Sequence, residues 1–135
     1  RERPVATQGE LVRENGCMLA WASTLTVSQT VALIHQHQGL AIAAHVDRPS
    51  FSVISQLGFL PEDVVFDAIE ISVAGTKNNQ GKAYSTLGFP VLTNSDAHFL
   101  ENIGAARTSF QIKSPDFFEV ASALTQTAGR RISSA

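Results

Sequence analysis

The chain has 135 residues and a formal net charge of −2, with 44% hydrophobic and 16% charged residues. This length suits one domain, and the apolar content is that of a globular fold rather than a disordered segment. The 10 basic and 12 acidic residues argue against a strongly basic nucleic-acid-binding protein, so no strong nucleic-acid binding is expected. No apolar run approaches the ~20 residues that a membrane span needs, and no membrane association is expected.

The beginning of the chain does not resemble a targeting segment. Its first four residues lead into no apolar run of the kind that a signal peptide contains. The only methionine is Met18, so we expect a processed chain or a piece of a longer one. The single cysteine, Cys17, cannot form an internal disulfide, which is typical of a reducing, cytoplasmic compartment.

The first clear element is a helix predicted over residues 27–38. Thr26 is a favourable N-cap, and Gln29 three residues later completes a capping box. Apolar residues then recur at helical spacing, and Gly39 follows where a helix can end in the left-handed conformation. Ahead of this helix, residues 11–22 fit either a strand or a short helix.

Short apolar runs alternate with helical segments along the rest of the chain. Residues 40–44 form a continuous apolar run, which predicts a strand buried on both faces. Further strands are predicted over 68–72, 90–93 and 105–112, and further helices over 76–87 and from Ser114 as N-cap, with Pro115 first in the helix, to Gly129. This alternation predicts an α/β fold with parallel strands.

Side chains with metal-binding chemistry follow two of the predicted strands. His45 follows the strand at 40–44, and Asp96 and His98 follow the strand at 90–93. The C-terminal ends of parallel strands form one rim, and ligands bind at that rim in α/β folds. Imidazole and carboxylate groups are suitable ligands for Zn²⁺, Mn²⁺ or Fe. The competing interpretation, of about equal weight, is structural, because polar residues at strand ends commonly cap strands and turns.

The two residues after His45 are weaker candidates. Asp47 is predicted to orient His45 by accepting a hydrogen bond from its ring. Arg48 is predicted to bind a phosphate oxygen of the substrate through its planar guanidinium. A surface ion pair or the stabilisation of a turn is the competing interpretation for each of them.

Three other charged or titratable residues are given structural roles. His35 and His37 lie at the end of the first helix, where residues two apart diverge by ~200° and cannot share a metal. We expect both rings to face solvent near the negative helix C-terminus. Glu70 lies inside a predicted buried strand and needs a partner there, for which a structural salt bridge is expected, with a role at the rim as the alternative.

Two segments at these strand ends resemble motifs of the PHP (polymerase and histidinol phosphatase) superfamily. Residues 43–49, with 56–61 after them, resemble its later motifs, and residues 93–98 resemble its last motif, Asp-x-His. Their order and their separation of about fifty residues also fit. The resemblance covers residues 26–112 and is closest to the stand-alone phosphoesterases of bacteria and archaea.

The resemblance implies a distorted (β/α)₇ barrel of the TIM-like kind that binds divalent metal ions at its C-terminal rim and hydrolyses phosphate esters. It implies that His45, Asp96 and His98 are ligands in a di- or trinuclear site for Zn, Mn or Fe. It also implies a phosphorylated small molecule or a nucleotide as substrate.

The superfamily's first motif, His-x-His, is absent, as are its second-motif His and its bridging Glu. Residues 1–135 are therefore expected to be a single α/β domain that forms the C-terminal portion of a longer PHP domain. The missing ligands would come from an N-terminal portion, and a homo-oligomer is the other way to complete the barrel.

Two functions of other kinds remain open. A non-catalytic α/β module that binds metal weakly, or pairs with a partner chain, would explain the incomplete ligand set. Its open sheet edges would then require an obligate oligomer. An amidohydrolase that acts on C–N bonds would also collect His and Asp ligands at strand ends, although the Asp-Ala-His sequence favours a phosphoesterase.

Overall fold

The structure, a computed structural model, describes residues 22–134. The element predicted over 11–22 lies outside this range except for its last residue, and so does Cys17. The helices are α1 (Val27–Gln36), α2 (Val53–Leu57), α3 (Val73–Lys77), α4 (Gln80–Tyr84) and α5 (Phe117–Leu124), and the strands are β1 (Ile42–Ala43), β2 (Ala68–Ile71), β3 (Val91–Thr93), β4 (Thr108–Gln111) and β5 (Arg131–Ser134). Short 3₁₀ turns occur at Ser85–Leu87 and Leu100–Asn102. In the described range no helix combines the length and the apolar character that crossing a membrane requires.

Strands β1, β2 and β3 form a parallel sheet with β2 in the centre. Ile42 lies opposite Ala68, and Ile69 lies opposite Val91. The side chains of Ile69 and Ile71 are fully buried, so the central strand anchors the core. The predicted α/β fold with a parallel sheet is confirmed, and the C-terminal ends of all three strands lie along one edge.

Helix α1 and strand β1 follow the prediction with shorter bounds. Thr26 and Gln29 form the predicted capping box, with both hydrogen bonds in place. In β1 the two faces differ, because Ala43 is 3% exposed and Ile42 is 41% exposed. The prediction that this strand is buried on both faces was therefore correct for one face only.

Strands β4 and β5 form a separate antiparallel pair in which Thr108 lies opposite Ser134. The strand predicted over 105–112 exists, but it does not join the parallel sheet, and β5 was not predicted. Along β4 half-buried and exposed residues alternate. This period of two is typical of an antiparallel strand with one solvated face, whereas a strand covered on both sides has a continuous apolar run.

Two predicted helices have different bounds. The helix predicted over 76–87 is divided into α3, α4 and a 3₁₀ turn, because Asn79 adopts a left-handed backbone with φ 58°. Asparagine tolerates this conformation better than most residues. Helix α5 begins after Asp116, which caps it through Oδ1 and the N–H of Glu119 (3.0 Å), so Ser114 is not the N-cap. The helix ends at Leu124, before Gly129.

Asp67 joins helix α1 to the sheet. Its Oδ2 accepts a hydrogen bond from the N–H of Ala41 (2.6 Å) and lies 2.8 Å from Nε2 of His35. The His35 ring is exposed in the last turn of α1, as expected, and in addition it is paired with a carboxylate. His37 is the exposed C-cap of α1.

Asp47 ties the loop after β1 to the start of α3. Its Oδ1 accepts a hydrogen bond from the N–H of Ser72 (2.7 Å), and its Oδ2 accepts one from Oγ of Ser72 (2.5 Å). Oγ of Ser72 in turn accepts from the N–H of Gly75 (3.1 Å). A Cβ added at Gly75 would overlap Oδ2 of Asp47 and lie 2.7 Å from Cγ2 of Ile71, so only glycine fits here.

Glu119 and Arg130 connect α5 to the turn before β5 through two hydrogen bonds, of 2.9 Å from Nε and 2.5 Å from Nη2. The backbone N–H of Lys113 donates a third bond to the same carboxylate (2.8 Å). The bonds from Arg130 and then from Lys113 lower the pKa of Glu119 from 4.5 to about 2. Folding therefore favours the ionised form of this side chain.

Gly75→Ala should destabilise the protein by about 1–3 kcal/mol, because the added methyl group overlaps the carboxylate of Asp47, which holds Ser72, the N-cap of α3. Denaturant unfolding measures this difference. The matched control is Gly81→Ala in α4, where a Cβ would meet nothing within 4 Å. That variant should be neutral or slightly more stable, since alanine favours a helix. Equal stabilities of the two variants would contradict the packing of Asp47 against Gly75.

Glu119→Gln should lower the thermal midpoint at pH 6, and this loss should shrink as the pH falls. The stabilisation by ionised Glu119 is present above its unfolded pKa near 4.5 and is lost as the pH falls from there towards about 2. Thermal unfolding at pH 6, 4 and 2.5 measures the difference between variant and wild type. Glu101→Gln, at an exposed position, controls for the removal of a glutamate. A loss in Glu119→Gln that is the same at all three pH values would rule out the ionic contribution.

Candidate active site

A cleft of about 510 Å³ lies at the C-terminal ends of the three parallel strands. We call it the strand-end cleft. Residues that follow each strand line it: Asp47, Arg48 and Pro49 after β1, Ser72, Val73, Ala74, Gly75, Asn78 and Gln80 after β2, and Ser95 and Asp96 after β3. Because the strands are parallel, residues distant in sequence converge here, as the sequence predicted for such a rim.

An ion pair joins the segments that follow β1 and β3. Nη1 of Arg48 lies 2.8 Å from Oδ2 of Asp96, and the two side chains are 37% and 35% exposed. The candidate substrate residue and one candidate metal ligand are therefore in direct contact. This pair shows that the two segments identified from the sequence meet in space.

His45 lies in an unusual environment at the end of β1. Its backbone has φ 31°, a left-handed value that costs energy for a residue with a side chain. Its Nδ1 is buried and has no hydrogen-bond partner among the described residues. A buried polar atom without a partner costs about 1–3 kcal/mol. A metal ion or a ligand group bound to this nitrogen would offset that cost, so His45 is suited to act as a metal ligand.

His98 is held in one tautomer by the backbone of its own segment. Its Nδ1 lies 2.8 Å from the carbonyl oxygen of Asp96. Because a carbonyl oxygen can only accept, Nδ1 carries the proton and Nε2 of the neutral ring keeps its lone pair. Metal-binding histidines are commonly oriented in this way. Asp96 itself has φ 46°, which aspartate tolerates.

The three predicted metal ligands do not form a closed centre by themselves. Among residues 22–134, no group of three or more His, Cys, Asp or Glu side chains is arranged to hold a metal ion. Of the three, only Asp96 lines the strand-end cleft, and Arg48 already occupies its Oδ2. His45, Asp96 and His98 thus have suitable ligand atoms at the C-terminal ends of β1 and β3, on either side of β2, but they make up only part of a ligand set.

Two other predicted contacts are replaced by different ones. Asp47 does not orient His45, because its two oxygens bind Ser72 and no hydrogen bond joins the two residues in the described structure. Glu70 has no salt bridge there, and its Oε1 instead accepts a hydrogen bond from Nδ2 of Asn94 (2.8 Å). The amide of Asn94 satisfies this carboxylate without a second charge.

The sequence interpretation missed Ser95, which closes the loop that carries Asp96 and His98. Its Oγ donates to the carbonyl oxygen of Ala106 (3.0 Å) and accepts from the N–H of Gly104 (2.8 Å). Both ends of the loop are thereby fixed to one hydroxyl group. The sequence did offer a signal for this role. Ser95 is a small hydroxyl residue beside a candidate ligand at a strand end, and such side chains there commonly bind backbone groups.

Known proteins resemble the chain in sequence. Residues 75–128, which include the second strand-end segment, match a family described as PHP-associated. The uncharacterized protein YqxK of Bacillus subtilis strain 168 is 33% identical over 99 residues, which make up 70% of this chain and 26% of that protein. The chain thus spans about a quarter of the length of this relative.

Two solved structures share the fold. The lesion-specific endonuclease PfuEndoQ of Pyrococcus furiosus matches with a TM-score of 0.70 and 24% identity, over 80% of this chain and 28% of that one. Endonuclease Q in complex with a 27-mer duplex substrate, with an abasic lesion at the active site, matches with a TM-score of 0.69 and 22% identity, over 79% of this chain and 28% of that one. At these identities the likeness is one of fold. Together with the family match, it confirms the predicted resemblance of this chain to the PHP superfamily.

Proposed function

We propose that this chain is the C-terminal portion of a distorted (β/α)₇ barrel in a metal-dependent phosphoesterase of PHP type. The observation that carries the proposal is the convergence of three parallel strand ends on one cleft, with Asp96 and Arg48 in contact across it. The fold shared with two solved endonuclease Q structures supports it. In this proposal residues 1–135 belong to one domain, and a preceding part of the polypeptide supplies the missing barrel strands and ligands.

In the proposed site His45, Asp96 and His98 hold divalent metal ions together with ligands from outside this chain. A bound metal supplies a Lewis acid that polarises the phosphoryl group and lowers the pKa of water. The hydrogen bond from Nδ1 of His98 to the carbonyl of Asp96 leaves the lone pair of Nε2 available to a metal ion. The hydroxyl group of Ser95 fixes the loop, so the spacing of Asp96 and His98 is set before any ligand binds.

As substrate class we propose a phosphodiester of DNA. One structural neighbour holds a duplex with an abasic lesion at its active site, which supports this choice. The net charge of −2 led us to expect no strong nucleic-acid binding. That charge describes a chain that spans 28% of each endonuclease, so it sets only a weak limit on the complete protein. Phosphorylated small molecules and nucleotides are the alternative substrates.

Exposed apolar side chains support the proposal that this chain is one part of a larger domain. Phe51, Phe99, Leu100, Ile103 and Phe118 are each more than two thirds exposed. Phe99, Leu100 and Ile103 lie in one short segment, and adjacent exposed apolar groups mark a surface that another segment or chain covers. A partner chain in a non-catalytic module would cover them equally well, so activity and metal content have to separate the two functions.

In the complete protein, Asp96→Asn should lower the divalent metal content and the hydrolysis of an abasic-site duplex together, with activity falling about 100-fold or more. The amide removes the negative charge and weakens the metal–oxygen bond. Metal content by mass spectrometry and turnover of the labelled duplex are the two measurements. The same assay with nucleotides and sugar phosphates tests the alternative substrates.

His37→Gln is the matched control, because His37 is an exposed residue at the far end of α1 and should not affect either measurement. An Asp96→Asn protein that keeps its metal and its metal-dependent hydrolysis would exclude Asp96 as a ligand. Wild-type protein that hydrolyses no phosphate ester would favour the non-catalytic module instead.

A further inference from the structure

We infer that Arg48 is an internal counter-ion for Asp96, which it releases when a divalent cation binds, and that the freed guanidinium then binds the substrate phosphate. Cation loading and phosphate binding would thus be coupled through one side chain. The inference rests on the proposed function, and it adds an order of events to it. It starts from the contact of 2.8 Å between Nη1 of Arg48 and Oδ2 of Asp96.

The two cations compete for the single negative charge of Asp96. A guanidinium and a divalent cation at the same carboxylate would place three positive charges against a single negative one. Each side chain of the pair is about one third exposed, and ion pairs in such positions are weak. A cation that binds Asp96 can therefore displace Arg48 without disrupting the core.

Arg48 is the partner that moves farther, because the backbone of Asp96 is held in place and its side chain is short. Asp96 lies in a short loop that Ser95 closes from both ends, and its carbonyl oxygen accepts the bond from His98. The guanidinium of Arg48, in contrast, sits at the end of a long and rotatable chain. Its described polar contact is the one with Asp96.

The charge of the strand-end cleft gives the released guanidinium its function. Among the described residues that line the cleft, Arg48 is the only cationic one. The carboxylate of Asp47 is already engaged by the N–H and the hydroxyl group of Ser72. While Arg48 is paired with Asp96, its charge is neutralised, so the cleft attracts a phosphate poorly. Release of Arg48 supplies a planar donor that matches phosphate geometry.

The first test measures the affinity of the complete, metal-depleted protein for Mn²⁺ alone, by the electron paramagnetic resonance signal of the free ion. Arg48→Gln should bind Mn²⁺ about fivefold more tightly than wild type, because the competing cation is gone. Arg107→Gln removes an exposed arginine outside the cleft and should leave the affinity unchanged. Equal or weaker binding by Arg48→Gln would overturn the inference.

The second test needs no metal and measures the binding of inorganic phosphate in the presence of a chelator, by nuclear magnetic resonance titration. Asp96→Asn frees Arg48 and should bind phosphate about fivefold more tightly than wild type. The double variant Asp96→Asn/Arg48→Gln should lose this gain. A gain that persists in the double variant, or no gain at all, would overturn the inference.

The outcomes separate the inference from the function on which it rests. Wild-type protein that binds Mn²⁺ with the same affinity as Arg48→Gln would refute the coupling but leave the metal site intact. Wild-type protein that binds no Mn²⁺ would refute the proposed function and the coupling with it. Tighter Mn²⁺ binding by Arg48→Gln, together with the phosphate gain in Asp96→Asn, supports both.

Discussion

The parallel pairing of the central strand β2 with both of its neighbours is the constraint on which the rest of the structure depends. Ala68, Ile69 and Ile71 are completely buried, and Glu70 between them is partly exposed, so both faces of this strand are largely covered. Its backbone groups are satisfied through hydrogen bonds to β1 and β3, which fixes the register of all three strands. Because the strands run in one direction, the segments that follow them all begin at the same edge of the sheet. The contact of Arg48 with Asp96, 48 residues apart, is a consequence of this register.

Carboxylates supplement the apolar contacts that connect the sheet to the helices and loops around it. Asp67 binds the start of β1 and the end of α1, and Asp47 binds the start of α3. Glu70, inside the central strand, accepts a hydrogen bond from the amide of Asn94 at the beginning of the loop that carries Asp96 and His98. Short strands of two to four residues bury little apolar area, so these directional bonds specify the positions of the loops. Asp47, Asp67 and Glu70 thus have architectural roles.

The parts of the fold that were predictable are those with a strong local signal. The capping box at Thr26 and the apolar runs of β1, β2 and β3 depend on neighbouring residues, and they were found. The antiparallel partner of β4 depends on a contact across about twenty residues, which no local pattern encodes. The break at Asn79 depends on a single backbone conformation that asparagine permits but does not require.

In the candidate site, too, features with a local sequence signal were predictable and features that depend on distant contacts were not. The positions of His45, Asp96 and His98 at strand ends were predictable from the motifs that surround them. Which atoms meet was not, because side-chain pairing depends on register. Asp47 is next but one to His45 in sequence, yet it binds Ser72, whose hydroxyl lies across the sheet edge. Arg48, in the same segment, reaches Asp96 instead of remaining open to a substrate.

The link between Asp47 and the five-residue helix α3 has a consequence for local opening. A helix of this length does not persist on its own in water, because the cost of nucleation is not recovered over so few residues. Helix α3 is therefore maintained by its cap, and that cap is held by the loop after β1. The amide protons of α3 and the side-chain contacts of that loop should be lost in one concerted fluctuation. Helix α3 and the loop after β1, which both line the strand-end cleft, should therefore open as one cooperative unit. The contacts of Asp47 set how strongly the amide protons of this unit are protected from hydrogen exchange.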